Sequence, residues 1–362
     1  MTSQLTTRQL NRTLLVRQGL TVRGTGTAEE MLETLVGVQA QDINAPYIAM
    51  WNRLDQFDRG ELERLLIDRR AVRAMMMRGT QHLVLTSDYL NHQASFAPIL
   101  RRQQRSFLRQ MPDVDVAELL RYATHLLQTE DHTRPTLATA LQERWPAAKG
   151  PALARTIQHL LPVVHPPPDG LWGSRVSTPI VLAERWHSKP ADEDLQLYHL
   201  IYRYLAAFGP ATAADIRAWS GITGLKETLD ELSDQLITHR DDQGRELLDI
   251  PDGQIQDPDT PAPPRLMAWY DNAVQAFEDR TRIVAQEHRS CASSEPTVLL
   301  DGFVAGKWKI TRGKSRGTRR FEITLFKNPS RSERAALEQE IDSLALFARD
   351  VDETIDIAII TP

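Results

Sequence analysis

The sequence predicts an α+β protein of three tandem winged-helix units followed by a β-rich, barrel-like C-terminal domain carrying a basic β-hairpin. Three observations predict it. The order helix, helix, extended ribbon recurs along the first part of the chain; a segment dense in Pro and Asp then breaks the pattern; and the remainder alternates with strand periodicity. With 362 residues, 41% hydrophobic and 25% charged, the chain is long enough to bury more than one core.

The first unit opens with a helix that Thr6 or Thr7 can cap, carrying Leu10, Leu14 and Leu15 and stopping at Gly19. Thr27 and Glu30 form a capping box ahead of Met31, Leu32, Leu35 and Val36. Pro46 starts a further helix through Trp51, another runs from about Arg59 to Arg69, and the apolar, β-branched residues on both sides of Arg78-Gly79 predict a hairpin between Ala71 and Leu85.

In the second unit Pro135 opens a helix to about Trp145, a second follows Gly150-Pro151 to Leu161, Val163-Val164-His165 is extended, and after Pro166 to Gly170 a strand is expected through Leu171 and Trp172. The third repeats the order: helices from Pro210 to Ser220 and Leu225 to Gln235, then extended segments at Leu236 to Thr238 and Leu247 to Ile250 around Asp242-Gln243-Gly244. Ile250 to Pro264 is a linker. Beyond it, strands are expected at Thr297 to Leu300, Phe303 to Ala305, Lys307 to Thr311, Phe321 to Phe326 and Ile355 to Ile360, with one helix from about Ser332 to Ala348. The expected divisions are 1–112, 113–192, 193–255 and 256–362.

Composition narrows the function. One cysteine, Cys291, cannot form an internal disulfide, no apolar run reaches the roughly 18 residues that cross a bilayer, and the start lacks signal-peptide character, so a cytoplasmic protein is expected. The ten histidines and Cys291 show no metal-ligand spacing, and no phosphate-cradling glycine motif is present; neither metal nor cofactor is expected. The net charge of −5 argues against a chain that coats polyanions everywhere. The charge is uneven, however: Lys307 to Arg320 holds seven basic residues and no acid.

A winged helix sets one helix in the major groove and its wing on the backbone. Three such units before a basic hairpin suit a body that wraps double-stranded DNA. On this reading Arg312, Lys314, Arg316, Arg319 and Arg320 contact DNA, two nearby glycines letting the backbone approach; the competing reading is a solvated loop. A second feature is Gln39-Ala40-Gln41. In a continuing helix the two glutamines diverge, whereas in an extended exit they face one way and bring two amides side by side. Polar decoration of a helix end is the plainer alternative.

Leu35-Val36-Gly37-Val38-Gln39-Ala40-Gln41-Asp42, Met77 to Val84, Gly170-Leu171-Trp172-Gly173, Tyr270-Asp271-Asn272 with Asp279 to Arg282, and Leu300 to Trp308 together resemble the AlkZ-like (AlkZ/AlkX) winged-helix DNA glycosylases of bacteria. The resemblance runs in order along nearly the whole chain. It implies a C-shaped body acting on N7-alkylated purines and, in some members, unhooking interstrand crosslinks from natural-product alkylators. The family's catalytic motif of glutamine, aliphatic residue, glutamine falls on Gln39, Ala40 and Gln41, and its DNA-inserting hairpin on Arg312 to Arg320. An Asp at the last motif position marks the other branch, so this chain sits on the AlkZ side.

A glutamine amide orients water but cannot take its proton. That suffices only where the base is already a good leaving group. An N7-alkylguanine carries positive charge, departs neutral, and leaves an oxocarbenium-like sugar that a positioned water and aligned dipoles can serve. The expected enzyme is therefore a monofunctional DNA glycosylase, a monomer without cofactor, in repair or self-resistance. Arg78, Thr80 and His82 are candidate contacts to the lesion or a phosphate, with a buried, satisfied His82 as the alternative. Two rivals remain: a non-catalytic winged-helix DNA-binding regulator, and a factor that sequesters damage without cleaving it.

Overall fold

The capping boxes set the first elements. In the computed structural model, which describes residues 4–187, 197–312, 318–350 and 353–362, Thr6 caps helix Thr7–Arg17 and Thr27 caps helix Ala28–Leu35, each through reciprocal bonds with the third helical residue. Helices Ala45–Arg53 and Arg59–Ile67 follow, then strands Ala71–Met75 and Gln81–Leu85. A short strand, Val38–Gln39, pairs antiparallel with the second ribbon strand, Gln39 opposite His82.

The same connectivity recurs. His132–Thr133 precedes helices Arg134–Arg144 and Gly150–Leu160 and pairs with Pro179–Leu182, whose ribbon partner is Val163–His165. Ala211 bridges to Leu248 ahead of helices Ala213–Ser220 and Lys226–Glu231 and the ribbon Ile237–Asp241 with Glu246–Asp249. Among the described residues, the first two ribbons join edge to edge through Arg73 opposite His165 and Ala74 opposite Val164, giving a six-stranded sheet. The third ribbon is instead extended by a parallel pairing with Gln4–Leu5.

One expected strand is displaced. Leu171 and Trp172 lie in turns rather than a strand, because Gly170 and Gly173, at φ +89° and +68°, turn the chain on either side of them. The ribbon strand forms later, at Pro179–Leu182. Trp172 packs edge-on against Tyr47 at 5.4 Å, and the Tyr47 hydroxyl donates to the Gly170 carbonyl at 2.8 Å.

Among the described residues, the C-terminal region holds a five-stranded sheet ordered Arg265–Leu266, Thr297–Leu300, Phe303–Arg312, Thr318–Leu325 and Thr354–Ile360. The last pairing is parallel, because helix Arg331–Ala348 carries the chain back before that strand begins. The helix buries Leu337, Ile341, Leu344 and Ala345 against Val298, Phe321 and Ile323, in a core shared with Leu32, Val38 and Trp51 of the first unit. Packing thus runs across the expected divisions of the chain. A buried ion pair reinforces this: Arg53 donates to both carboxylate oxygens of Asp271, at 2.7 and 2.8 Å.

Candidate functional site

The turn that delivers Gln39 allows few alternatives. Helix Ala28–Leu35 ends at Val36 in the left-handed region, and Gly37 follows at φ +100°. A Cβ on Gly37 would lie 2.4 Å from Val84 Cγ1, so only glycine lets the chain enter the sheet here. Beyond Gln39 the backbone of Ala40 is held at both ends: its N–H donates to the Gln81 carbonyl at 2.8 Å, and its carbonyl accepts from Arg73 Nε at 2.9 Å. Its methyl is buried in the core. Arg73 is in turn fixed by Asp169 at 2.5 Å. Burial alone would raise the Asp169 carboxyl, but the hydrogen bond with His165 and the Arg73 charge hold it below its usual value.

With Ala40 pinned, the two flanking side chains meet. Gln39 Nε2 donates to Gln41 Oε1 at 2.8 Å, so the extended exit does bring two amides side by side. Gln39 is 7% exposed and Gln41 is exposed, which makes them an inner and an outer member of one pair. The orientation of both amides is dictated by Arg78. Its Nη2 donates to Gln39 Oε1 at 3.1 Å and to Asn272 Oδ1 at 3.5 Å, while Nη1 donates to the Trp219 carbonyl at 2.8 Å. A guanidinium only donates, so an oxygen of Gln39 must face it; the Gln39 nitrogen then faces Gln41 and must meet an oxygen. Gln41 is left with both N–H donors and one oxygen lone pair for a ligand or water.

Arg78 is itself positioned at cost. It has φ +55°, its carbonyl accepts from Gln103 Nε2 at 2.7 Å, and burial, with a contribution from Arg280, lowers its pKa to about 10, which leaves it charged at neutral pH. Asn272 ties the same network back to the turn, donating to the Gly37 carbonyl at 3.0 Å. Left-handed residues thus cluster around the pair: Val36, Arg78 and, next to Asn272, Tyr270 at φ +59°.

Gln41 lies between two openings. One is a cleft of about 1160 Å³ running past Asp42, Trp172 and Trp269 to Thr311, Thr318 and Arg319 at the base of the C-terminal hairpin. Trp269 stacks on Tyr270 at 5.1 Å and forms part of its aromatic wall. The other is a cavity of about 610 Å³ toward the second helical unit.

Thr80 is partly buried, its hydroxyl donating to the Met77 carbonyl at 3.2 Å within the ribbon turn. His82 is 0% exposed, in line with the buried alternative rather than a contact to lesion or phosphate. Its Nδ1–H donates to the Thr80 carbonyl at 3.0 Å, Nε2 has no partner among the described residues, and burial together with the Arg78 charge lowers its pKa to about 3. Arg319 and Arg320 are not the free cations that their acid-free window implied. Arg319 pairs with Asp350 at 2.5 Å and Glu353 at 2.7 Å, and Arg320 with Asp356 at 2.8 Å, because the parallel last strand and its approach bring acids beside them. Lys314 and Arg316 lie outside the described residues, as does the side chain of Arg312.

Arg73, Asp169 and the separate part of Asn272 are not marked out in the sequence. Arg73 leaves a trace, a lone charge in the apolar strand Ala71–Met75; Asn272 stood only inside a motif. Among the described residues no group of three or more metal-ligating side chains occurs.

Burial of His82 and of His92, whose pKa burial lowers to about 4, has a consequence for stability. An unfolded histidine titrates near pH 6.5, so below that value the unfolded chain binds more protons and stability, complete above about pH 6.5, falls as pH drops toward the folded values. Urea midpoints are expected to be lower at pH 5 than at pH 7, each buried histidine weakening the folding equilibrium by up to about tenfold per pH unit. Equal midpoints would contradict the neutral, enclosed placement.

The fold and the pinned amide pair define a class. The model of the family described as "DNA glycosylase AlkZ-like" matches residues 32–347, and the chain belongs to that family. It is 25% identical over 359 residues to the "Interstrand DNA cross-link repair glycosylase" of Streptomyces sahachiroi, covering 91% of this chain and 93% of that protein. The solved structure of Streptomyces sahachiroi DNA glycosylase AlkZ superimposes with a TM-score of 0.78 at 24% identity, covering 99% of this chain and 100% of that one. That likeness confirms the mixed α+β fold.

Proposed function

We propose that the protein is a monofunctional DNA glycosylase that hydrolyses the N-glycosidic bond of cationic N7-alkylated purines in double-stranded DNA, and that it unhooks interstrand crosslinks formed by alkylating natural products. The observation that carries this is the Gln39–Gln41 amide contact beside two openings, with no carboxylate in the pair. Gln41 offers a lone pair to orient water and two N–H donors, while Gln39 and Arg78 hold it. Such a site suits a base that leaves without protonation. The three helix–helix–ribbon units act as winged-helix modules on the duplex, and the hairpin with Arg312, Lys314, Arg316, Arg319 and Arg320 approaches the lesion. The protein works as a monomer in the cytoplasm, in repair or self-resistance; among the described residues no helix is long and apolar enough to cross a membrane.

Two lysines support hydrolysis without an amine nucleophile. Lys307 is ion-paired with Glu295 at 2.6 Å, which raises its pKa, and Lys309 with Glu322 at 2.8 Å. A protonated amine cannot form a Schiff base, so borohydride is expected to trap no covalent enzyme–DNA adduct; a trapped adduct would contradict the monofunctional reading.

The direct test incubates duplex DNA bearing one N7-methylguanine with the protein at neutral pH, then treats it with alkali. Strand breakage above the background without protein is expected, and a sequestering or regulatory protein would give none. The Arg78→Met variant is expected to slow release by about 10- to 100-fold, the loss of one hydrogen bond from a charged donor, with duplex affinity, read by gel shift, nearly unchanged. An unaltered rate would remove Arg78 from the positioning network.

A further inference from the structure

The two openings beside Gln41 differ in charge. The cleft toward the hairpin is lined by four acids, of which Glu295 is paired with Lys307 and Asp350 and Glu353 with Arg319, leaving Asp42, against Arg175 and Lys309. The cavity toward the second unit has one acid, Asp169, and that acid is paired with Arg73. Its other cations are unopposed: among the described residues neither Arg134 nor Arg155 is ion-paired, and both are exposed. Arg134 stands at the start of helix Arg134–Arg144 and Arg155 in helix Gly150–Leu160, so two separate elements converge on one space. Thr178, 8% exposed, lines the same cavity, and its hydroxyl makes no hydrogen bond among the described residues. Phe107, also in the lining, lies in sequence between Arg105 and Arg109, both exposed.

We propose that this cavity is a phosphate site: a backbone phosphate of the strand whose damaged nucleotide sits at Gln41 is held by the Arg134 and Arg155 guanidiniums and the Thr178 hydroxyl. The proposal rests on the glycosylase reading above and adds to it where the strand is gripped. Guanidinium pairs match phosphate oxygens in geometry and charge, and an unfilled hydroxyl supplies a further donor. The second helical unit, rather than the base of the hairpin, then anchors the strand next to the amide pair. Gln41, exposed to both openings, stands where the sugar follows from that phosphate. The aromatic cleft on its other side, walled by Trp172 and Trp269, remains for the base.

The test measures fluorescence anisotropy of a short duplex bearing an abasic-site analogue across salt concentrations, with wild type, the Arg134→Gln/Arg155→Gln variant and, as a control, Arg331→Gln, an exposed cation that lines neither opening. The double variant is expected to show a log–log salt slope shallower by about 0.9, the value for one phosphate no longer neutralised, and the control an unchanged slope. A second arm scans single methylphosphonate linkages along the strand. One neutral linkage close to the abasic position should weaken wild-type binding about tenfold and have no further effect on the double variant. A double variant with the wild-type slope, or one that still senses that linkage, overturns the proposal. Inorganic phosphate displacing the duplex from wild type, at an ionic strength where chloride does not, while no linkage matters, would assign the site to a free phosphorylated ligand instead and likewise overturn it. A wild type that binds in this way yet releases no base from alkylated DNA would contradict the glycosylase function and leave the phosphate site standing.

Discussion

Replacing Gln39 and Gln41 together by alanine is expected to lower single-turnover release of N7-methylguanine by about 10³-fold, the scale seen when preorganised hydrogen-bond donors are removed from an active site. Affinity for the duplex is expected to change little, because the outer amide is one contact among many and the inner one is enclosed. The single variants are expected to be nearly as slow as the double. Gln41 loses its fixed orientation when Gln39 is shortened, and Gln39 has nothing to orient when Gln41 is, so the two act as a unit and their effects do not add. Rapid-quench measurement on saturating enzyme checks this. Retained release in the double variant would place the chemistry elsewhere, and additive losses would dissolve the inner and outer division of roles.

The Asp271→Ala variant is expected to be the most destabilising single change near the site. It leaves the fully buried Arg53 guanidinium without its carboxylate, and uncompensated burial of one partner costs about 3–5 kcal/mol. It also removes the cap on Ala273 N–H at the start of helix Asn272–Gln275. The Arg53→Met/Asp271→Leu variant, with no charge left to bury, is expected to recover much of the loss. Urea titration gives both values. If Asp271→Ala unfolds at the wild-type midpoint, the ion pair contributes nothing and cannot be what holds Asn272, and through it Arg78, in place.

What was legible in the sequence was local. The cap at Thr6 or Thr7, the capping box at Thr27, the ribbon around Arg78-Gly79 and the helix ending at Ala348 follow from short-range patterns, and the structure places them within a few residues of expectation. The side-by-side amides follow from a period-two argument over three residues, given an extended exit. The rest depends on partners far apart in the chain. Nothing local to Arg319 or Arg320 reveals Asp350, Glu353 and Asp356, because a parallel strand pairing brings them close only after an 18-residue helix has intervened. His82 reads equally as a contact or as a buried strand residue, and only the packing of the whole chain, which leaves it 0% exposed, decides between them. Leu171 and Trp172 carry strand propensity that two left-handed glycines override.

Release rates of cationic N7-methylguanine and of the neutral bases uracil and hypoxanthine, at neutral pH and on otherwise identical duplexes, separate the amide pair from an acid that acts on the leaving group. Two amides that orient water but cannot protonate a leaving group predict release of the cationic base at least about a thousandfold faster, some 4 kcal/mol of barrier. Comparable rates on the neutral bases would mean that an acid acts on the leaving group, and the amide pair would no longer explain catalysis.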